Sequence, residues 1–110
     1  MAITGKPLAE GQIGSTSQTI VYTVGSSPAG VNGGQLMLFN TSSTGQTITI
    51  AYKFVSLSSS TIRSFGVLTL NQNENAIVDL PDLAAGDIVY ITTTTANVLN
   101  WVLYGGLISA

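Results

Sequence analysis

Residues 46–54 read QTITIAYKF. In an extended chain, successive side chains point to opposite faces. Ile48, Ile50, Tyr52 and Phe54 then share one face, and Thr47, Thr49, Ala51 and Lys53 share the other. An α-helix would scatter both sets around its circumference. The period of two predicts a strand with one face in a core and the other toward water.

The same rhythm recurs along the chain. Residues 18–24, QTIVYTV, set Ile20, Tyr22 and Val24 against Thr19, Val21 and Thr23. Residues 34–40, GQLMLFN, are apolar on both faces in their middle, as expected of an interior strand. Strands over 66–70 and 76–80 flank NQNEN, a turn rich in asparagines that tolerate left-handed backbone. Strands over 87–95 and 98–104 flank Ala96 and Asn97, which predicts a short hairpin connection. Threonine and valine at this density stiffen the chain toward β geometry. Residues 80–87, LPDLAAGD, hold one helical turn at most. Short strands separated by regular turn signals predict an all-β fold, a single antiparallel β-sandwich. It is jelly-roll-like or immunoglobulin-like, since both share this alternation.

Before Gln18 the alternation is missing, and Gly5, Pro7, Gly11 and Gly14 interrupt the chain. This predicts an extended N-terminal arm over 1–14, ahead of a sandwich domain over 15–110. Residues 25–34, GSSPAGVNGG, predict the most flexible loop.

A chain of 110 residues is one domain. Charged residues make up only 7% of it, where about 25% is usual. Neutral polar side chains supply the wet surface instead, with 14 Thr, 12 Ser, 7 Asn and 5 Gln. The three cations, Lys6, Lys53 and Arg63, are too few and too scattered to track a phosphate backbone or an anionic lipid surface. Nucleic acid and membrane are therefore not expected as partners. There is no cysteine, hence no disulfide and no thiolate metal site. The opening MAITGKPLAEGQIG lacks the continuous apolar stretch of a secretory signal. The longest apolar run, 98–108, is broken by Asn100 and falls short of the roughly 20 residues of a membrane helix. Together these predict a soluble chain made in the cytoplasm.

The search for chemistry returns little. Without histidine the usual general base and metal ligand are missing. Serines are plentiful, but there is no G-x-S-x-G elbow, and SLSSS at 56–60 reads as a polar loop. A carboxylate pair such as Glu74 with Asp87 rests on residue type alone. The expectation is a non-enzymatic chain with no catalytic residues and no cofactor. Asp79, Asp82 and Asp87 could offer oxygen ligands to Ca²⁺, but a D-x-D-x-D-G spacing is absent and no metal site is expected. Trp101 and Tyr104 could together form a sugar-stacking platform. A tryptophan on the same strand face as Leu99 and Leu103 is instead expected in the core.

After Asp87 no charged side chain occurs in the remaining 23 residues. The expected explanation is a hairpin over 88–110 with one face in the core and the other face, or its edge, covered by another subunit. Lys6 and Glu10 on the arm, with Trp101 and Tyr104, are the candidate interface residues.

The order of motifs resembles a family of small bacteriophage virion proteins. Those chains place YTVPAG ahead of a strand pair ANTS…TVTL, then an L…AGD turn into a strand near the end. Here the corresponding segments are GQIGSTSQTIVYTV at 11–24, PAG at 28–30, LFNTSSTGQTITI at 38–50, LPDLAAGDIVYITTTTAN at 80–97 and VLYGGLIS at 102–109. This chain departs from the pattern at 25–27, where GSS separates YTV from PAG, and again in having only VNGGQ before LMLFN. The resemblance implies a β-sandwich that coats or connects parts of a phage particle. The expected role is a capsid decoration (cement) protein in the virion, bound to the major capsid protein or another virion protein. A homo-oligomer is expected, a trimer by preference. The alternatives are a tail, fibre or head-fibre component, and a carbohydrate-binding module.

Overall fold

The computed structural model describes residues 6–25 and 30–108. Among the described residues the strands are β1 (Lys6–Gln12), β2 (Thr19–Thr23), β3 (Gly30–Asn40), β4 (Gln46–Lys53), β5 (Arg63–Leu70), β6 (Asn75–Asp79), β7 (Leu83–Ala84), β8 (Ile88–Thr93) and β9 (Leu99–Ile108). A single 3₁₀ turn, Val55–Leu57, lies in the loop between β4 and β5. Among the described residues no helix is long and apolar enough to cross a membrane.

Two sheets result. The first is five-stranded, ordered β1-β9-β3-β6 with β7 also on β3, and the second is four-stranded, ordered β2-β8-β4-β5. Every pairing is antiparallel. The chain passes from one sheet to the other at most of its connections, which interleaves early and late strands. That interleaving is the double Greek key of a jelly roll, so the strand order selects the jelly roll over the immunoglobulin-like arrangement.

Register explains the core. In the first sheet Leu36 lies between Leu103 and Val78, and Leu38 lies between Trp101 and Ala76. In the second, Ile48 lies between Thr93 and Leu68, and Ile50 pairs with Ile91. Leu36, Leu38, Ile48, Ile50, Ile91, Leu99 and Leu103 are at most 1% exposed. Each such side chain contributes about 1.5–3 kcal/mol on burial, so these inward rows dominate the stability of the sandwich.

The charge-free C-terminal stretch is arranged differently from the hairpin expected. β8 and β9 do not pair as a hairpin. Asn97 adopts φ 63 and the chain crosses from one sheet to the other. β8 then lies between β2 and β4, and β9 between β1 and β3. Both are interior strands whose edges are covered by the same chain. Those edges are therefore shielded within the chain, while Asn100, Val102 and Tyr104 lie on the outer face of β9.

Residues 6–14 do not stand away as an arm. Lys6–Gln12 pairs along β9, from Lys6 opposite Gly105 to Gln12 opposite Asn100. Ile13 is 1% exposed and its amide donates to Leu99 O at 2.9 Å. The arm's residues 1–5 lie outside the described residues. The expected loop over 25–34 is also shorter, because Gly30–Gly34 belongs to β3. The bulge between Asn32 and Gln35 is accommodated by Gly33 at φ 60, and residues 26–29 lie outside the description. Within 80–87 there is no helical turn. Leu83 and Ala84 pair with Val31 and Gly30, and Gly86 takes φ +87 at the following turn.

Candidate functional site

The sheets part at one side of the sandwich, where the edge strands β5 and β6 lie. A groove of about 490 Å³ opens there, lined by Tyr52, Phe54, Phe65, Leu68, Val78 and Asp79 among others. Its rings form one cluster. Tyr52 and Phe65 have centroids 5.7 Å apart, Tyr52 and Phe54 5.8 Å, and Phe54 and Phe65 5.9 Å in an edge-to-face arrangement. Such contacts add to simple area burial.

A bulge puts Phe65 there. Ile50 is opposite Gly66, while Ala51 is opposite Ser64, so Phe65 is the extra residue of β5. Strict alternation would place Phe65 with Val67 on the outer face of the sheet. The extra residue instead re-aims the ring toward Tyr52 and Phe54, which is a common consequence of a bulge. Phe65 nevertheless remains 62% exposed.

The 3₁₀ turn beside the groove is fixed by a buried carboxylate. Asp87 is 2% exposed, and its Oδ1 accepts from Ser56 N at 2.9 Å. Val55 and Leu57 on that turn are 41% and 76% exposed. With Ile62 and Val67, five of the exposed large apolar side chains fall within residues 55–67. Among the described residues only Ile20 and Phe39 lie elsewhere. Burial pushes the Tyr52 hydroxyl up to about 12, so this ring is neutral at any physiological pH.

A second, shallower depression of about 220 Å³ lies on the outer face of the first sheet, between Met37, Phe39, Asn75, Asn100 and Val102. Register aligns Val102, Met37 and Ile77 across the sheet as an apolar row.

The residues singled out from sequence fall in different places. Lys6 and Glu10 are exposed on β1, far in strand order from the groove. Trp101 is 8% exposed and packs in the core with Leu99 and Leu103. Tyr104 is half-buried on the opposite face of β9. The two rings therefore do not make one sugar platform. The three aspartates are engaged separately. Asp79 Oδ1 accepts from Gln35 Nε2 at 3.3 Å, Asp82 Oδ1 from Gly33 N at 3.2 Å, and Asp87 from Ser56 and Ala84. Among the described residues no group of three or more His, Cys, Asp or Glu is placed to hold a metal ion. The exposed residues of the groove side, Val55, Leu57, Phe65 and Val67, escaped the sequence reading. The available signal was a run of isolated apolar residues among serines, SLSSSTIRSFGVL, which alternation does not sort.

No protein-family model matches the chain, and no curated protein matches its sequence. Solved structures do share its fold. PirA superposes with TM-score 0.56 at 15% identity, over 94% of this chain and 95% of that one. The Anabaena sensory rhodopsin transducer gives TM-score 0.50 at 13% identity, over 86% and 98%. A chain of the T13 IBDV viral particle gives TM-score 0.52 at 10% identity, over 94% of this chain and 28% of that one. At these identities the likeness concerns the fold.

Proposed function

We propose that this chain is a structural protein of a bacteriophage particle, acting by contact rather than catalysis as a capsid decoration (cement) protein. The observation that carries this reading is the concentration of exposed apolar side chains, Val55, Leu57, Ile62, Phe65 and Val67, within one short stretch of a sandwich poor in charge. Exposed apolar residues gathered into a patch mark interaction sites. The jelly roll found in part of a virus particle chain is compatible with this role, and the motif order resembles that of phage virion proteins.

The physical logic is additive. Each large apolar side chain moved from water into a contact contributes about 1.5–3 kcal/mol. Weak contacts repeated on a symmetric shell hold together through avidity. Neutral surfaces of Ser, Thr and Asn avoid ion pairs, so attachment would change little with salt. The partner would be the major capsid protein or another virion protein, and the chain would be made in the host cytoplasm.

The test is co-sedimentation of the purified chain with phage capsids lacking it, alongside Leu57→Ser and Phe65→Ser variants. Saturable binding that survives high salt and weakens in both variants supports the reading. Absence of the chain from purified particles, judged by mass spectrometry, would overturn it. Density on the tail in a cryo-EM map would move the role to a tail or fibre component.

A further inference from the structure

We propose that β5 is a self-pairing edge, so that two copies of this chain join antiparallel through β5 about a two-fold axis near Leu68. This inference concerns the free protein and stands apart from any virion role. An edge strand presents a row of unpaired N–H and C=O groups, and natural sheets guard such rows with charge, proline, bulges or shortness. The longer edge strands differ in this respect. β1 carries Lys6, Pro7 and Glu10, and its register slips between Pro7 and Ala9. β2 has five residues and slips between Ile20 and Tyr22. β6 has five residues and ends on Asp79, two positions before Pro81.

β5 is the least guarded edge. It is 8 residues long and has neither charge nor proline after Arg63. Its bulge at Phe65 leaves the stretch from Gly66 to Leu70 in regular register with β4. Val67, in that stretch, is 66% exposed.

Charge selects the occupant. Arg63 begins β5 and makes no ion pair with any described residue. Glu74 lies in the turn that follows the other end of β5, where its Oε1 accepts from Asn71 N at 2.8 Å. Antiparallel pairing centred on Leu68 sets Gly66 against the second copy's Leu70, so the Arg63 end of β5, beyond the bulge, lies toward the second copy's turn 71–74, which carries Glu74. The two-fold axis makes that opposite-charge contact twice. Lys53, next to the Tyr52 that pairs with Arg63, adds a second cation to the same end. A three-fold axis cannot pair one strand edge with itself, so this edge predicts a dimer in place of the expected trimer.

Sedimentation velocity of the full chain tests this, with circular dichroism checking that each variant is folded. The expected wild-type species has twice the 11.4 kDa chain mass. Arg63→Glu sets like charges together, and Val67→Lys guards the edge; each is expected to weaken the dimer by about tenfold or more. The double variant Arg63→Glu/Glu74→Arg exchanges the signs and is expected to regain it. Hydrogen exchange should show alternate amides of 66–70 protected in the wild-type dimer and released in Val67→Lys. The proposal is overturned by a wild-type monomer at micromolar concentration, by a trimer, by a dimer without β5 protection, or by a folded double variant that stays monomeric.

Discussion

Asp87 Oδ1 accepts a hydrogen bond from the backbone amide of Ser56 at 2.9 Å, tying two segments 31 residues apart. Its second oxygen, Oδ2, accepts from Ala84 N at 2.9 Å, and its backbone carbonyl takes Val24 N at 2.9 Å. One buried residue thus anchors the 3₁₀ turn, the turn before β8 and the end of β2. Asp87→Ala would leave two amides without acceptors, each costing about 1–3 kcal/mol when buried. Asp87→Asn keeps one acceptor and should cost less. Urea unfolding of the three proteins checks the order wild type, Asn, Ala. A neutral Ala variant would mean that water replaces the carboxylate.

Trp101→Ala and Tyr104→Ala separate core from surface on a single strand. Trp101 packs among buried residues, and a Cβ added at Gly11 would stand 3.1 Å from its Cζ2. Removing the indole is expected to cost about 3–5 kcal/mol. Tyr104, on the outer face, should cost under about 1 kcal/mol. Thermal unfolding checks the contrast, and comparable losses at both positions would contradict the assignment of faces.

The sandwich was legible because its signal is local. The alternation in QTITIAYKF and the asparagines of NQNEN report directly on faces and turns, and Asn73 does adopt φ 55. Sheet membership is not local. Asn97 makes the same tight turn whether the next strand pairs with β8 or crosses to the other sheet, so the hairpin and the arch are indistinguishable in sequence. β1 was hidden because Pro7 and the slip at Pro7/Ala9 break its rhythm. The groove depends on Phe65 being the odd residue of a bulge, which no pattern in RSFGVL announces.

Tyr52 gives the fold a limit in alkali. Burial raises its hydroxyl from 10.0 to about 12, since the phenolate would lose water it cannot replace. A folded value above the unfolded one means full stability below about pH 10 and progressive loss as pH rises toward 12. Tyr52→Phe removes that titration. The stability difference between wild type and Tyr52→Phe should be flat below about pH 10 and then move in favour of Phe. Denaturant unfolding at stepped alkaline pH checks this. A flat difference throughout would mean that the hydroxyl ionises in water.

Asn40 poses the sharpest test of the turn end of the sandwich. It is fully buried, and its Nδ2 donates toward the carbonyls of Thr44 at 2.8 Å, Leu70 at 3.1 Å and Asn71 at 3.1 Å. Its Oδ1 accepts from Ser42 N at 2.9 Å. Asn40→Ala removes these bonds and should cost about 2–4 kcal/mol. Asn40→Asp is nearly the same shape, yet at neutral pH it sets a carboxylate against three carbonyl oxygens and should cost more than Ala. The new carboxyl would hold its proton more tightly folded than unfolded, where its value is about 3.9. Its stability is therefore retained in acid, below about pH 4, and lost as pH rises. Unfolding of Asn40→Asp and wild type, compared at acid and neutral pH, should show the gap widening toward neutrality. A gap independent of pH would mean that the carboxylate has turned to solvent and that the three carbonyls are not its neighbours.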